Sequence, residues 1–151
     1  MKKPKRRSTK LESEGAEFLV LANLLIEGMS AYKCYVNLPG HDLTVVNHET
    51  GRTAKIQVKS RWAAGAASFP IKNFDCDFVA FVALKRRSDS SKMRKDAGAG
   101  SPDIYMFPVD VVQEHHDRRS TWQKVHVHKI PEWESYRNNW TLVREFLGKA
   151  P

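Results

Sequence analysis

Residues 42–60 read DLTVVNHETGRTAKIQVKS. Two runs in which apolar and polar residues alternate flank a polar loop, His48 to Arg52. Alternation at period two marks half-buried strands, and the loop between them predicts an antiparallel hairpin. If the turn is centred between Glu49 and Thr50, Asp42 stands opposite Gln57. One face then carries Asp42, Thr44 and Val46 together with Lys55, Gln57 and Lys59. Leu43, Val45, Ile56 and Val58 pack on the other. Directly opposed side chains have Cβ atoms about 4.5–5.5 Å apart, so a carboxylate, an amide and an ammonium converge on one patch. A slip of one residue would separate Asp42 from Gln57 across the sheet.

Upstream, Ser8 to Gly28 has helical spacing with two apolar stripes. One runs through Leu11, Phe18, Ala22, Leu25 and Ile26, the other through Val20, Leu21 and Leu24. Two stripes predict a helix covered on most sides, with Gly28 as its C-terminal cap. Tyr32 to Asn37 reads as a strand closed by the turn Leu38 to His41. Downstream, Asp77 to Leu84 is almost wholly apolar, as a strand buried on both faces should be. Lys85 to Pro102 is rich in Ser, Gly, Asp and Lys and predicts a flexible basic loop over residues 85–101. Asp103 to Phe107 is a further strand, and Val109 to His116 one or two helical turns. Trp122 to Ile130 reads as extended. Pro131 opens a final helix whose stripe is Trp133, Tyr136, Trp140, Val143 and Leu147.

A chain of 151 residues with 41% hydrophobic content is one ordinary domain, expected over residues 11–148 behind a basic disordered tail, residues 1–10. No apolar run is long enough for a membrane span. The basic start followed by Phe18 to Ile26 imitates a secretion signal, but Glu12, Glu14 and Glu17 before the run argue against one. Two cysteines, Cys34 and Cys76, exclude a disulfide scaffold, and a reducing, cytoplasmic setting is expected. Of the formal charge of +8, residues 1–10 contribute +6 and residues 85–96 contribute +4, so the rest of the chain carries −2. Basic arms of this kind suit phosphate contacts on nucleic acid, or serve as solvated tails that keep a protein soluble. His126 and His128 share a strand face near His115 and His116, but no third ligand stands at customary zinc spacing.

Glu17 shares the stripe of Val20, Leu21 and Leu24, which turns its carboxylate toward the interior. A buried carboxylate needs a cation or donors; Lys59 or a metal ion would serve. An inward Glu behind Gly15, then a strand and turn, then Asp42, then a hairpin into Ile56 to Ser60 (IQVKS), resembles the PD-(D/E)xK, or restriction-endonuclease-like, nuclease superfamily. Asp42 matches its lone Asp and Lys59 its Lys. Gln57 replaces the usual acid, as in the Q-V-K branch related to group I intron homing endonucleases.

The resemblance implies an α/β fold with a central mixed sheet of four or five strands flanked by helices. It also implies a metal-dependent endonuclease acting on DNA. Asp42, Gln57, Glu17 and the Val58 carbonyl would hold Mg²⁺, with Mn²⁺ as a substitute, and Lys59 would act on the nucleophilic water or the phosphoryl group. Ser60, Arg61, Lys85, Arg86, Arg87, Lys92, Arg94 and Lys95 are the expected DNA contacts. The chain has no room for a separate DNA-reading domain, so a homodimer or homotetramer is expected. A catalytically inactive nucleic-acid-binding module of the same fold is the alternative that Gln57 keeps open.

Overall fold

A computed structural model describes residues 9–35, 41–86 and 100–148. Its elements run α1 (Lys10–Ile26), β1 (Ser30–Lys33), β2 (Leu43–Val46), β3 (Thr53–Ala63), β4 (Ser68–Pro70), β5 (Phe78–Arg86), β6 (Asp103–Pro108), α2 (Val109–Glu114), β7 (Lys124–His126) and α3 (Thr141–Gly148). Turns of 3₁₀-helix lie at Val127–Lys129 and Trp133–Tyr136. A mixed five-stranded sheet has the order β1-β2-β3-β5-β6, and β4 pairs with β7 in a separate two-stranded sheet. β3 and β5 are parallel; the other pairs of the large sheet are antiparallel. This is the expected α/β class, with helices on both faces of the sheet.

Local chemistry explains the boundaries. α1 ends where Gly28 takes φ +82, a left-handed conformation that costs glycine little. The Gly28 N–H then donates to the Leu25 carbonyl at 2.9 Å and the Met29 N–H to the Leu24 carbonyl at 3.0 Å, which closes the helix end. In the hairpin loop the Asn47 side-chain oxygen accepts from the N–H groups of Glu49 (2.9 Å) and Thr50 (3.2 Å). Leu43 pairs with Ile56 and Thr44 with Lys55, the register expected from the alternation.

Two cores sandwich the sheet. On one face α1 and α3 bury Val20, Leu24, Val143 and Leu147 against Leu43, Val45, Ile56 and Ala80. On the other, Phe69, Ile71, Val125 and Ile130 pack on Val79, Phe81 and Phe107. This second core is aromatic, with Phe69 and Phe81 rings stacked at 5.4 Å.

Four expectations change. Only the Val20 and Leu24 side of α1 is covered: Leu11, Phe18, Leu25 and Ile26 are 85%, 44%, 52% and 81% exposed. The segment 122–130 is extended only over Lys124–His126, then turns into 3₁₀-helix. The final helix is broken, because Arg137 is extended and Asn138 takes φ +50. Trp133 and Tyr136 therefore join the aromatic core, while Trp140, Val143 and Leu147 reach the α1 face. The strand from Tyr32 is likewise shorter, since β1 ends at Lys33. Residues 1–8, Val36, Asn37, the turn residues Leu38 to Gly40, and Arg87, Lys92, Arg94 and Lys95 lie outside the described residues. No helix among the described residues is long and apolar enough to cross a membrane.

Candidate active site

The ladder between β2 and β3 stops at Leu43 and Ile56, but β3 runs on to Ala63. One edge of its second half is thus released from backbone pairing. Asp42 sits at the fork. Its N–H donates to the Ile56 carbonyl at 2.8 Å, and its Oδ2 accepts the Val58 N–H at 2.8 Å. The carboxylate takes the place the next backbone carbonyl of a longer β2 would fill, which fixes its orientation. By strand alternation the Val58 carbonyl turns to the same edge.

The projecting half of β3, the end of β4 and the first two turns of α1 enclose a cleft of about 710 Å³. Its wall carries Glu17, Asp42, Gln57, Val58, Lys59, Ser60, Arg61 and Trp62, with Thr9, Glu12 and Ser13 from the start of α1 and Phe69 and Pro70 from β4. Six expected site residues and the Val58 carbonyl thus meet in one concavity, the arrangement expected of a reaction site.

Electrostatics within the cleft are unbalanced. Gln57 Oε1 is buried without a hydrogen-bond partner among the described residues, and a buried acceptor left unpaired costs about 1–3 kcal/mol. Burial pulls the Lys59 pKa below that of a free lysine, against the charge of Asp42, which pulls it up. The Cys76 thiol nearby is pushed up to about 11 by burial first and by Asp77 and Asp75 next. It is therefore uncharged at neutral pH, and Asp42 is the anion that acts on Lys59. Glu17 is also shifted up, by burial first and then by the negative charge of Asp42, with Lys33 opposing both.

Glu17 does point inward, its side chain 18% exposed, but its cation is Lys33 at 3.3 Å rather than Lys59. Lys33 also pairs with Glu14 and lies over the Phe18 ring at 4.1 Å from its centre. Sequence reasoning missed this residue. The available signal was a single basic residue in the strand that follows the Glu14 and Glu17 helix face.

Lys85 and Arg86 do not line the cleft. They are the last residues of β5, where Lys85 pairs with Asp103 and Arg86 donates to the carbonyls of Leu84 and Gly100. His126 is in the β4/β7 pair and the His128 ring packs on Trp133 at 4.6 Å. No group of three His, Cys, Asp or Glu side chains is arranged for a metal ion among the described residues. Any cation in the cleft would rely on two carboxylates supplemented by amide and backbone oxygens.

Among solved structures the chain is similar to a bacterial homing endonuclease, I-Ssp6803I, with a TM-score of 0.60 and 24% identity over 92% of this chain and 94% of that one. It is also similar to Hjc, a Holliday junction resolvase of the archaeal hyperthermophile Archaeoglobus fulgidus, with a TM-score of 0.48 and 16% identity over 80% and 88%. No family model and no curated protein matches the chain. The first likeness establishes a shared fold, in this chain a mixed five-stranded sheet flanked by helices.

Proposed function

We propose that this chain is a metal-dependent endonuclease that hydrolyses DNA phosphodiester bonds, in the Q-V-K manner of PD-(D/E)xK enzymes. The observation that carries the reading is the buried Gln57 oxygen, without a partner among the described residues, in the same cleft as the Asp42 carboxylate that the Val58 N–H holds in place. A hard cation fits there. It would give Gln57 Oε1 a partner and relieve the repulsion between Asp42 and Glu17 that helps raise the Glu17 pKa. Asp42, Gln57 Oε1, the Val58 carbonyl and Glu17 are the oxygen donors that would hold Mg²⁺ or Mn²⁺, which accept so few protein ligands because they keep several waters.

Bound there, the cation supplies Lewis acidity toward a phosphoryl oxygen and lowers the pKa of an attacking water. The protein's own groups do the rest. Lys59, on the same strand face as Gln57, aims a desolvated ammonium into the cleft. There it orients the water and offsets charge that develops on the phosphoryl group, an interaction strengthened by the lack of competing solvent. Ser60 and Arg61 continue along the cleft wall and bind flanking phosphates, with Trp62 beside them. The likeness of fold to a homing endonuclease supports the reading.

The alternative, an inactive DNA-binding module, draws on Gln57 in place of an acid and on Lys33, which already balances Glu17. Nicking of supercoiled plasmid over a Mg²⁺ series separates the two. Cleavage is expected with wild type and lost by about 10³-fold in Asp42→Asn, which keeps an acceptor for the Val58 N–H but removes the charge. Absence of metal-dependent nicking by wild type, with DNA binding intact, selects the inactive module.

A further inference from the structure

Opposite the buried side of α1 lies an apolar face that the described residues leave largely exposed. At 100° per residue, Leu11, Gly15, Phe18, Ala22, Leu25 and Ile26 fall in one arc, directly away from Ala16, Val20 and Leu24, which are fully buried. No charged residue of α1 itself falls within that arc, and the Lys33 ammonium of β1 lies over the Phe18 ring at 4.1 Å from its centre. Among the described residues, Leu11, Leu25 and Ile26 keep 85%, 52% and 81% of their surface exposed. Glu12 and the Lys33-paired Glu14 flank the arc, and the spacing of its residues, rather than its charge, selects the occupant.

We infer that this face of α1 pairs with the same face of a second copy of the chain, in an antiparallel arrangement about a two-fold axis near Phe18. The pattern is self-complementary, as such an interface requires. Leu11 and Leu25 stand seven residues before and after Phe18, so the two-fold sets Leu11 against the partner's Leu25 and brings the two Phe18 rings together. The small residues Gly15 and Ala22, also seven apart, leave room for those rings. Spacing of seven is the one that keeps a seam facing its partner along two helices. The antiparallel sense sets the positive end of one helix dipole, at Lys10, beside the negative end of the other, at Glu27.

The area suffices. Tyr35 is 81% exposed, and its ring is 5.7 Å from the same Lys33 ammonium that covers Phe18, so it extends the patch. At roughly 200 Å² per aromatic side chain, taken as an upper bound for Leu and Ile, the exposed fractions of Leu11, Phe18, Leu25, Ile26 and Tyr35 amount to at most about 700 Å² per protomer. That is near the 800 Å² or so per partner of a standard interface. The surface adjoins the cleft, since Lys33 contacts both Phe18 and Glu17, but association is read out without DNA cleavage.

Sedimentation equilibrium of the full chain, from about 1 to 100 µM, is the test. Wild type is expected to be dimeric or larger, and Phe18→Glu or Leu25→Glu to weaken association at least thirtyfold, the scale of a central interface residue. Phe18→Cys in a Cys34→Ser background is expected to cross-link to its symmetry mate on mild oxidation, a readout that survives misfolding of the charged variants. A monomeric wild type, unaltered association in both charged variants, or a dimer that does not cross-link at position 18 each overturns the proposal. So does a monomeric wild type that co-floats with phosphatidylcholine–phosphatidylserine vesicles, which would make the face a membrane contact.

Discussion

β3 and β5 are parallel neighbours in register, Gln57 beside Val79, Lys59 beside Phe81 and Arg61 beside Ala83, yet they have opposite fates. β5 buries every residue from Phe78 to Val82, because it lies between two strands and between both cores. From Gln57 onward β3 buries none completely, because β2 ends beside Ile56 and one edge is left to the cleft. Backbone pairing gives both strands the same shape; the early end of one neighbour decides which of them carries polar chemistry. Stability should therefore be concentrated in β5 and reactivity in β3.

The sharpest break in that division is Phe81→Ala. The side chain is 1% exposed and stacked on Phe69, so a cost of about 3–5 kcal/mol is expected in urea denaturation. At low urea the folded fraction should cut DNA normally. Lys59→Met, one strand across, should show the reverse: cleavage down about 10²–10³-fold in single-turnover assays. Its Tm should be equal or higher, because burial disfavours the lysine's charged form and its pKa is lowered.

Gln57→Glu sharpens the comparison within β3. A charged oxygen replaces a neutral one, so Mg²⁺ affinity measured by calorimetry should rise, on the order of tenfold. Cleavage need not follow, since the new carboxylate repels the incoming phosphate. The smallest effect belongs to Glu17→Gln. A carboxyl whose pKa is raised in the folded state contributes stability below the ordinary carboxylate range, and loses it as pH rises through the folded value. Burial and Asp42 impose that shift on Glu17, so the variant should lose less Tm than wild type between about pH 4 and 7. Thermal melts across that range measure the difference; a steeper fall in the variant would show that the Lys33 pair outweighs the burial cost.

The hairpin and its register were legible because period-two alternation on both sides of a polar loop fixes Leu43, Val45 and Ile56 on one face, and the centre of the loop then selects the pairing. Asp42, Gln57 and Lys59 followed from that register. Glu17 was legible from its helical phase, but its partner was not, since Lys33 meets it only through packing of α1 on β1. The second apolar stripe of α1 was misread as core because spacing alone distinguishes apolar from polar faces, not covered from uncovered ones. The final helix was misread for a related reason. The stripe from Trp133 to Leu147 keeps helical spacing, yet its halves serve opposite faces of the sheet, and the chain crosses between them at the extended Arg137 and at Asn138 with φ +50.

That crossing makes the C-terminal segment a clasp. At the outer edge of the sheet Arg137 bridges to Tyr105 of β6, and the Asn138 N–H donates to the Ile104 carbonyl at 2.8 Å. Beyond it α3 reaches the far end of the hairpin, where the Leu147 carbonyl accepts from Asn47 at 3.2 Å and Thr50 at 3.0 Å. The turn that sets the β2/β3 register, and with it the meeting of Asp42 and Gln57, is pinned by residues about a hundred positions later in the chain. Alignment of the cleft is thus a property of the closed chain, since a sliding hairpin would first have to release its own C-terminus.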